Sequence, residues 1–323
     1  MKLGIYLDMR NPPPWSRTWR DLYRSTLDLV AAAERRGAQA VWLTEHHGFE
    51  DGYLSQPLVL GAALAERTTS LRIGTAVVLA PLRHPRHLAE EAALVDVLSG
   101  GRLELGLGAG YVRSEFETFG ADEAQRYRTT AATVWHLRSW FERGEIKPAP
   151  VQDPLPVWLG YQGPRGARTA GSLDVGLLSL DPGLYRHYLA GRADAGIDGP
   201  GRVGGVVDLL LVRDPERALE QLLPHLAYHL NSYRQAIADG RGRTPRVLKV
   251  DELREEFRAT GAVRGYRILD ATRAAAELTA RIDGLPVEHL LFWCRIGGMP
   301  DSMVEEHLDL LFGDVRTALI ADR

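Results

Sequence analysis

Glu45-His46-His47 closes an apolar run, Ala40-Val41-Trp42-Leu43-Thr44, and sets a carboxylate and two imidazoles side by side. An imidazole titrates near neutrality, so it can act as general acid or base wherever a pocket needs a proton moved. His46 is the sharpest candidate for that work, with a hydrogen-bonded loop histidine as the plain alternative. Neighbours on an extended chain point to opposite faces, so these three side chains do not converge on one ion, and no metal site is expected. His225 and His229 are four residues apart but lack the metalloprotease glutamate after the first histidine, where Leu226 stands; they read as an ordinary helix face. Gly106-Leu107-Gly108-Ala109-Gly110-Tyr111 fails the dinucleotide fingerprint, because its third glycine would fall on Tyr111. Its small residues still let a flat ring or a phosphate come close to the backbone. Gly160-Tyr161-Gln162-Gly163-Pro164-Arg165 offers free amides at a helix start, a ready phosphate site, unless it is a plain strand-to-helix turn.

These groups need a scaffold that gathers them. The apolar runs at 2–8, 39–44, 71–79, 102–107, 157–159, 175–180, 203–212 and 287–294 have strand length and composition. Helical patterns separate them, including 19–36, 57–67, 85–98, 122–143, 165–171, 182–195, 215–238 and 271–282, with a last helix at 302–319. Eight strands alternating with helices predict an α/β fold, a (β/α)8 TIM barrel with an insertion before the last strand. Such a barrel carries its active site at the C-terminal ends of the strands, where Glu45-His46-His47, the 106–111 run and the 160–165 turn all fall. The whole of 1–323 reads as one domain. Residues 239–267 form a charged, irregular stretch with a helix near 252–260, long enough to be functional or mobile.

The chain has 323 residues, 45% hydrophobic and 25% charged, a soluble globular composition large enough to need no disulfide. Cys294 is the sole cysteine, which fits a reducing, cytoplasmic setting. No secretory signal and no membrane span is expected. A net charge of -3 gives no basic footprint for nucleic acid.

In their order along the chain, several motifs together resemble the luciferase-like monooxygenase family of flavin and deazaflavin enzymes. They are Trp42 through Gly48, Gly74 through Pro81 with His84-Pro85, Leu98 through Arg102, Gly110-Tyr111, Glu115-Phe116 with Phe119-Gly120, Pro156 through Gly160, and the strand ending at Trp293. The resemblance implies a barrel that binds FMN or coenzyme F420 at its C-terminal face. It places His46 beside the reactive ring as the proton-handling residue, and a non-proline cis peptide at Ala76–Val77 beneath that ring. Gly108, Ala109, Gly110 and Tyr111 would flank the cofactor. Gly160, Gln162 and Gly163, with Arg165, would take its phosphate. One departure stands out: bacterial luciferases carry an arginine where this chain has Ala109.

With reduced FMN the implied reaction is oxidation of a small neutral or apolar organic molecule by O2, with a flavin reductase as the supplier of reduced FMN. With F420 it is hydride transfer, and a non-catalytic flavin-binding barrel is the third reading. Trp15, His47, Phe49 and Tyr53 are expected to line the substrate pocket. The resemblance also implies a lid at 239–267 and a homodimer through the helices near strands two to four.

Overall fold

The computed structural model describes residues 1–239 and 241–321. Its barrel strands are β1 (Lys2–Leu7), β2 (Ala40–Leu43), β3 (Arg72–Thr75) with β4 (Val78–Leu79), β5 (Leu103–Gly108), β6 (Val157–Leu159), β7 (Gly176–Leu178), β8 (Val203–Val207) and β12 (Val287–Trp293). All pair in parallel in the order β3-β2-β1-β12-β8-β7-β6-β5-β4, and a β3–β5 pairing closes the cylinder. β3 and β4 are two pieces of one barrel position. The connecting helices include α1 (Trp19–Arg36), α2 (Pro57–Arg67), α3 (Pro85–Leu98), α5 (Arg126–Glu142), α6 (Pro164–Ser172), α7 (Pro182–Asp194), α8 (Pro215–Asp239) and α10 (Ala271–Ile282). The chain is a (β/α)8 barrel, and no helix among the described residues is long and apolar enough to cross a membrane.

Large aromatic residues inside the barrel plug the end opposite the strand C-termini. Trp42 packs edge-on against Trp158 at 5.8 Å and against His289 at 5.1 Å. Gly74 and Gly176 make this possible, because a Cβ at either would lie within 2.2 Å of an indole atom. Trp158 donates its indole N–H to Glu104 at 2.7 Å, and Arg72 pairs with the same carboxylate. His289, with Nε2 3.5 Å from the same carboxylate, together with Arg72 and the Trp158 N–H outweighs desolvation and holds the Glu104 carboxyl down at about 2, so the plug carries a partnered charge. With one end sealed, the open space lies at the other.

Four elements differ from the sequence reading. The 203–212 run is two strands, since Asp208 turns its carboxylate to the Trp293 indole N–H and the chain leaves the barrel there. Beyond it β9 (Leu209–Leu211) joins a second, three-stranded sheet with β10 (Ala262–Val263) and β11 (Tyr266–Leu269). The 239–267 stretch is accordingly not irregular throughout: α9 (Val250–Thr260) and the β10–β11 ribbon order most of it. A separate helix, α4 (Arg113–Phe119), precedes α5, and the last helix is α11 (Asp301–Leu310) continued by a π turn into α12 (Arg316–Ala321). α4 is too short for a 3.6-residue period to register, and its buried positions are only Glu115 and Phe116.

Candidate active site

The floor of the open end is built by a break in the third barrel position. The Ala76–Val77 peptide is cis, between β3 and β4, where the resemblance puts it. Thr75 covers the break in the ladder: its hydroxyl donates to Gly106 O at 2.8 Å and accepts from Gly106 N at 2.9 Å. The Val77 side chain lies over two backbones that carry none of their own. A Cβ on Gly108 would sit 2.1 Å from Val77 Cγ2, and one on Gly160 2.6 Å from Cγ1. Tyr6 donates its hydroxyl to Ala76 O at 2.5 Å, fixing the same peptide from across the barrel. On the far side of the break the Glu45 carboxylate accepts from Leu79 N at 3.0 Å, and also holds His47 Nε2 at 2.8 Å and Arg83 at 3.1 Å. Glu45 and His47 therefore point one way and brace the floor.

His46 points the other way, into a cavity of about 680 Å³. Its Nδ1 lies 2.8 Å from Glu115 Oε1, which also accepts from the His47 backbone N–H at 2.8 Å. The carboxylate thus orients the ring by its Nδ1 edge and turns Nε2 toward the Tyr111 hydroxyl, 3.1 Å away. Glu115, Tyr6, Tyr161 and Tyr233 are site residues that the sequence reading missed as such. The Glu115-Phe116 motif was visible, but its buried carboxylate makes sense only once α4 is seen to exist.

The cavity is lined by phenols and small residues. Tyr6, Tyr53, Tyr111, Tyr127, Tyr161 and Tyr233 share its wall with Ala76, Val77, Gly108, Ala109, Gly110 and Gly160. Burial raises the Tyr6, Tyr53 and Tyr233 hydroxyls well above their usual range, and the neighbouring phenols add to it, so all three remain protonated donors. Tyr161 is pushed up to about 12 by burial. Away from His46 the cavity is bounded by Gln162, Ser179, Asp181, Asp208 and Arg281.

The pieces fit a flat-ring cofactor: a backbone floor cleared of side chains by two glycines, with a histidine at its edge. Its anionic end would meet Gln162 and polar groups of the β7 and β8 ends.

Five of the proposed pocket and phosphate residues lie elsewhere. Arg165 is exposed on α6 and, with Gly163, does not line the cavity, because α6 starts outside the barrel mouth. Trp15 packs on the His225 ring at 4.1 Å, behind the wall. His47 and Phe49 face a second cavity of about 340 Å³ between the β2 loop and α8. Phe49 nevertheless packs on the back of the His46 ring at 5.0 Å. His225 and His229 lie on the buried face of α8. His225 Nδ1 is bonded to Gly297 O, and His229 Nε2 to the Tyr266 hydroxyl, each at 2.8 Å.

Residues 1–280 match the family described as luciferase-like monooxygenase. The chain belongs to that family. Among its relatives is a 4-hydroxyprotoasukamycin monooxygenase of Streptomyces nodosus subsp. asukaensis, 29% identical over 72% of this chain and 70% of that one. A second is the oxygenase component of a flavin-dependent trigonelline monooxygenase of Acinetobacter baylyi, 31% identical over about half of each chain (51% and 50%). Among solved structures, the monooxygenase RslO1 of Streptomyces bottropensis superposes with a TM-score of 0.81 at 19% identity, covering 98% of this chain and 99% of that one. The oxygenating constituent of 3,6-diketocamphane monooxygenase from Pseudomonas putida, in complex with FMN, gives 0.73 at 15% identity, covering 98% and 97%. An F420-dependent secondary alcohol dehydrogenase gives 0.71 at 18%, covering 98% of each chain. At these identities the superpositions show the barrel alone. The family is one of oxidoreductases, and this luciferase-like chain is an enzyme of that class.

Proposed function

We infer that this luciferase-like enzyme is a flavin-dependent monooxygenase that uses reduced FMN and O2 to oxidise a small, neutral or apolar organic substrate. The observation that carries the reading is His46, held by Glu115, on the wall of a cavity floored by the bare Ala76–Val77 backbone. The named activities of the two monooxygenase relatives support it. When bound, reduced flavin supplies the oxygen chemistry. Ala76, Val77, Gly108, Ala109, Gly110 and Gly160 would lie against its ring, with Tyr111 at the edge and Gln162 toward the phosphate. His46 Nε2 would take or return the proton, and the phenol wall would keep bulk water from the reacting atoms. The cavity wall offers Arg281 against two acids, Asp181 and Asp208, which suits the short tail of FMN better than a longer anionic one.

Parallel anaerobic titrations with reduced FMN and reduced F420, on the wild type and on His46→Ala, test this. The expected result is tight binding of FMN by both proteins, with most turnover lost in the variant. Tight binding of F420 alone would make the enzyme a hydride-transfer oxidoreductase. Oxidation of bound flavin that no organic compound ever couples to would leave a non-catalytic flavin barrel.

A separate flavin reductase would supply the reduced cofactor, as the oxygenase-component name of one relative suggests for that protein. The active form would be a homodimer through α2 and α3. Their Leu58, Leu60, Leu64 and Leu88 are buried inside the protomer, whereas Val59, Leu94, Val97 and Leu98 are exposed on the outer face. A second copy would cover that face, and sedimentation of wild type against Leu94→Arg would report it.

A further inference from the structure

The wall of the cavity nearest His46 is backed by a buried cation. Arg10, 3% exposed, follows β1 and pairs through Nε with Asp51 at 2.7 Å. Its guanidinium carbon lies 5.2 to 5.6 Å from the ring centroids of Tyr233, Tyr53, Phe49 and Tyr228. It also reaches the Ser232 hydroxyl and lies 3.5 Å from His229 Nδ1, so it ties the β1 loop, the β2 loop and α8 together. Removing a charge from water is costly unless the protein replaces that hydration, and here four rings and one carboxylate do so.

Two of the four caged rings have a second face. Tyr53 and Tyr233 line the cavity, lie 4.8 and 5.9 Å from the His46 ring, and join their hydroxyls at 2.8 Å. The other phenols beside them are already committed, Tyr6 to Ala76 O and Tyr111 to His46 Nε2. Two O–H groups enter the Tyr53–Tyr233 pair, and one is spent between them. Either hydroxyl can donate within the pair, and in the arrangement where Tyr53 donates, the Tyr233 proton has no other protein acceptor among the described residues and is left to the cavity. A cation against the ring of a phenol draws electron density from it and makes its O–H a stronger donor.

We propose that the Tyr53–Tyr233 pair, polarised from behind by Arg10, is a receptor for one oxygen of the substrate, a carbonyl, enol or phenol oxygen on a flat ring. This rests on the cavity being where substrate meets cofactor. It narrows the substrate to a compound that presents such an oxygen to donors beside His46, where a proton can be taken up or returned. Tyr233 and Tyr53 touch the substrate. Arg10 does not, and is a positioning residue.

4-Nitrophenol is a probe that needs no turnover, because its neutral and ionised forms absorb differently. It is titrated into wild type, Tyr53→Phe, Tyr233→Phe, Arg10→Lys and Arg10→Met, with and without FMN, across its own ionisation range. In wild type the bound probe ionises at lower pH than the free probe. Tyr233→Phe keeps the ring and removes one oxygen, and cuts the preference for the ionised form about tenfold. Arg10→Met cuts it comparably although it touches no ligand, and Arg10→Lys keeps part of it. A merely structural arginine would move thermal stability and leave this preference alone. The phenylalanine variants carry the test of the pair whether or not Arg10→Met folds. An unchanged preference in Tyr233→Phe, or no binding of the probe, overturns the proposal. No oxygen or reductant enters the measurement, so its failure leaves the flavin reading standing, and a failure of that reading appears in the FMN titration instead.

Discussion

Glu115 decides what His46 can do, because a carboxylate on Nδ1 turns Nε2 toward the cavity and the Tyr111 hydroxyl. Glu115→Gln preserves shape but removes the charge and the strict acceptor character of that atom. Turnover is expected to fall about 10- to 100-fold with little change in melting temperature. An unchanged kcat would show that the histidine is not poised through this contact. The floor makes a second prediction at the same scale. In Gly108→Ala the new methyl meets Val77 Cγ2 at 2.1 Å, so the break must shift. Overpacking of this kind costs about 1–3 kcal/mol, and weaker flavin binding should accompany it. Val77→Ala in the same chain should restore binding by removing the clash. Wild-type flavin affinity in Gly108→Ala, read by fluorescence quenching, would mean that the ring does not rest there.

At the level of elements, the strand-and-helix alternation was legible because both periods are long and strong between residues 2 and 110. The loops that end the strands were legible for the same reason, which is how His46 and Gly108 could be set at strand ends from pattern alone. What stayed hidden depends on partners far along the chain. Asp208 divides the 203–212 run where its carboxylate accepts the Trp293 indole N–H, a partner far along the chain. Glu115 looks like surface charge until α4 folds it under the β2 loop. Tyr233 sits on α8, more than a hundred residues from the loops it meets, and nothing local marks it as pocket rather than core. The 239–267 stretch divides by the same logic. α9 and the β10–β11 ribbon are held by regular hydrogen bonding, which leaves the segment before α9, with exposed Arg241, Arg243 and Arg246, as its open part. If it covers the second cavity as a lid, trypsin should cut there first in the free protein, and more slowly once flavin and substrate analogue are bound. Equal rates in both states would remove the lid.

Across the whole molecule, buried titratable groups tie the second sheet and the barrel mouth to pH in opposite senses. His307 on α11 accepts the Leu211 backbone N–H through Nδ1 at 2.9 Å, joining α11 to β9. Burial lowers it from the usual 6.5 to about 4, so between those values the unfolded chain binds a proton that the folded one refuses. Stability from this group is therefore lost as pH falls from 6.5 toward 4, by an amount on the order of 3 kcal/mol. His229, also lowered by burial, pulls in the same direction. Asp8 works against them. Desolvation raises it from 3.8 to about 7, so the folded chain keeps a proton that the unfolded one releases, and its share of stability is lost as pH rises through that window. Two histidines against one aspartate predict a net loss of stability on acidification below neutrality, partly masked by Asp8. His307→Gln keeps a carbonyl acceptor for Leu211 and cannot titrate. Its urea midpoint should change less between neutral and mildly acidic buffer than that of the wild type, whereas Asp8→Asn should make the acid loss steeper. Parallel pH profiles in all three proteins would show that neither group is held as the fold places it.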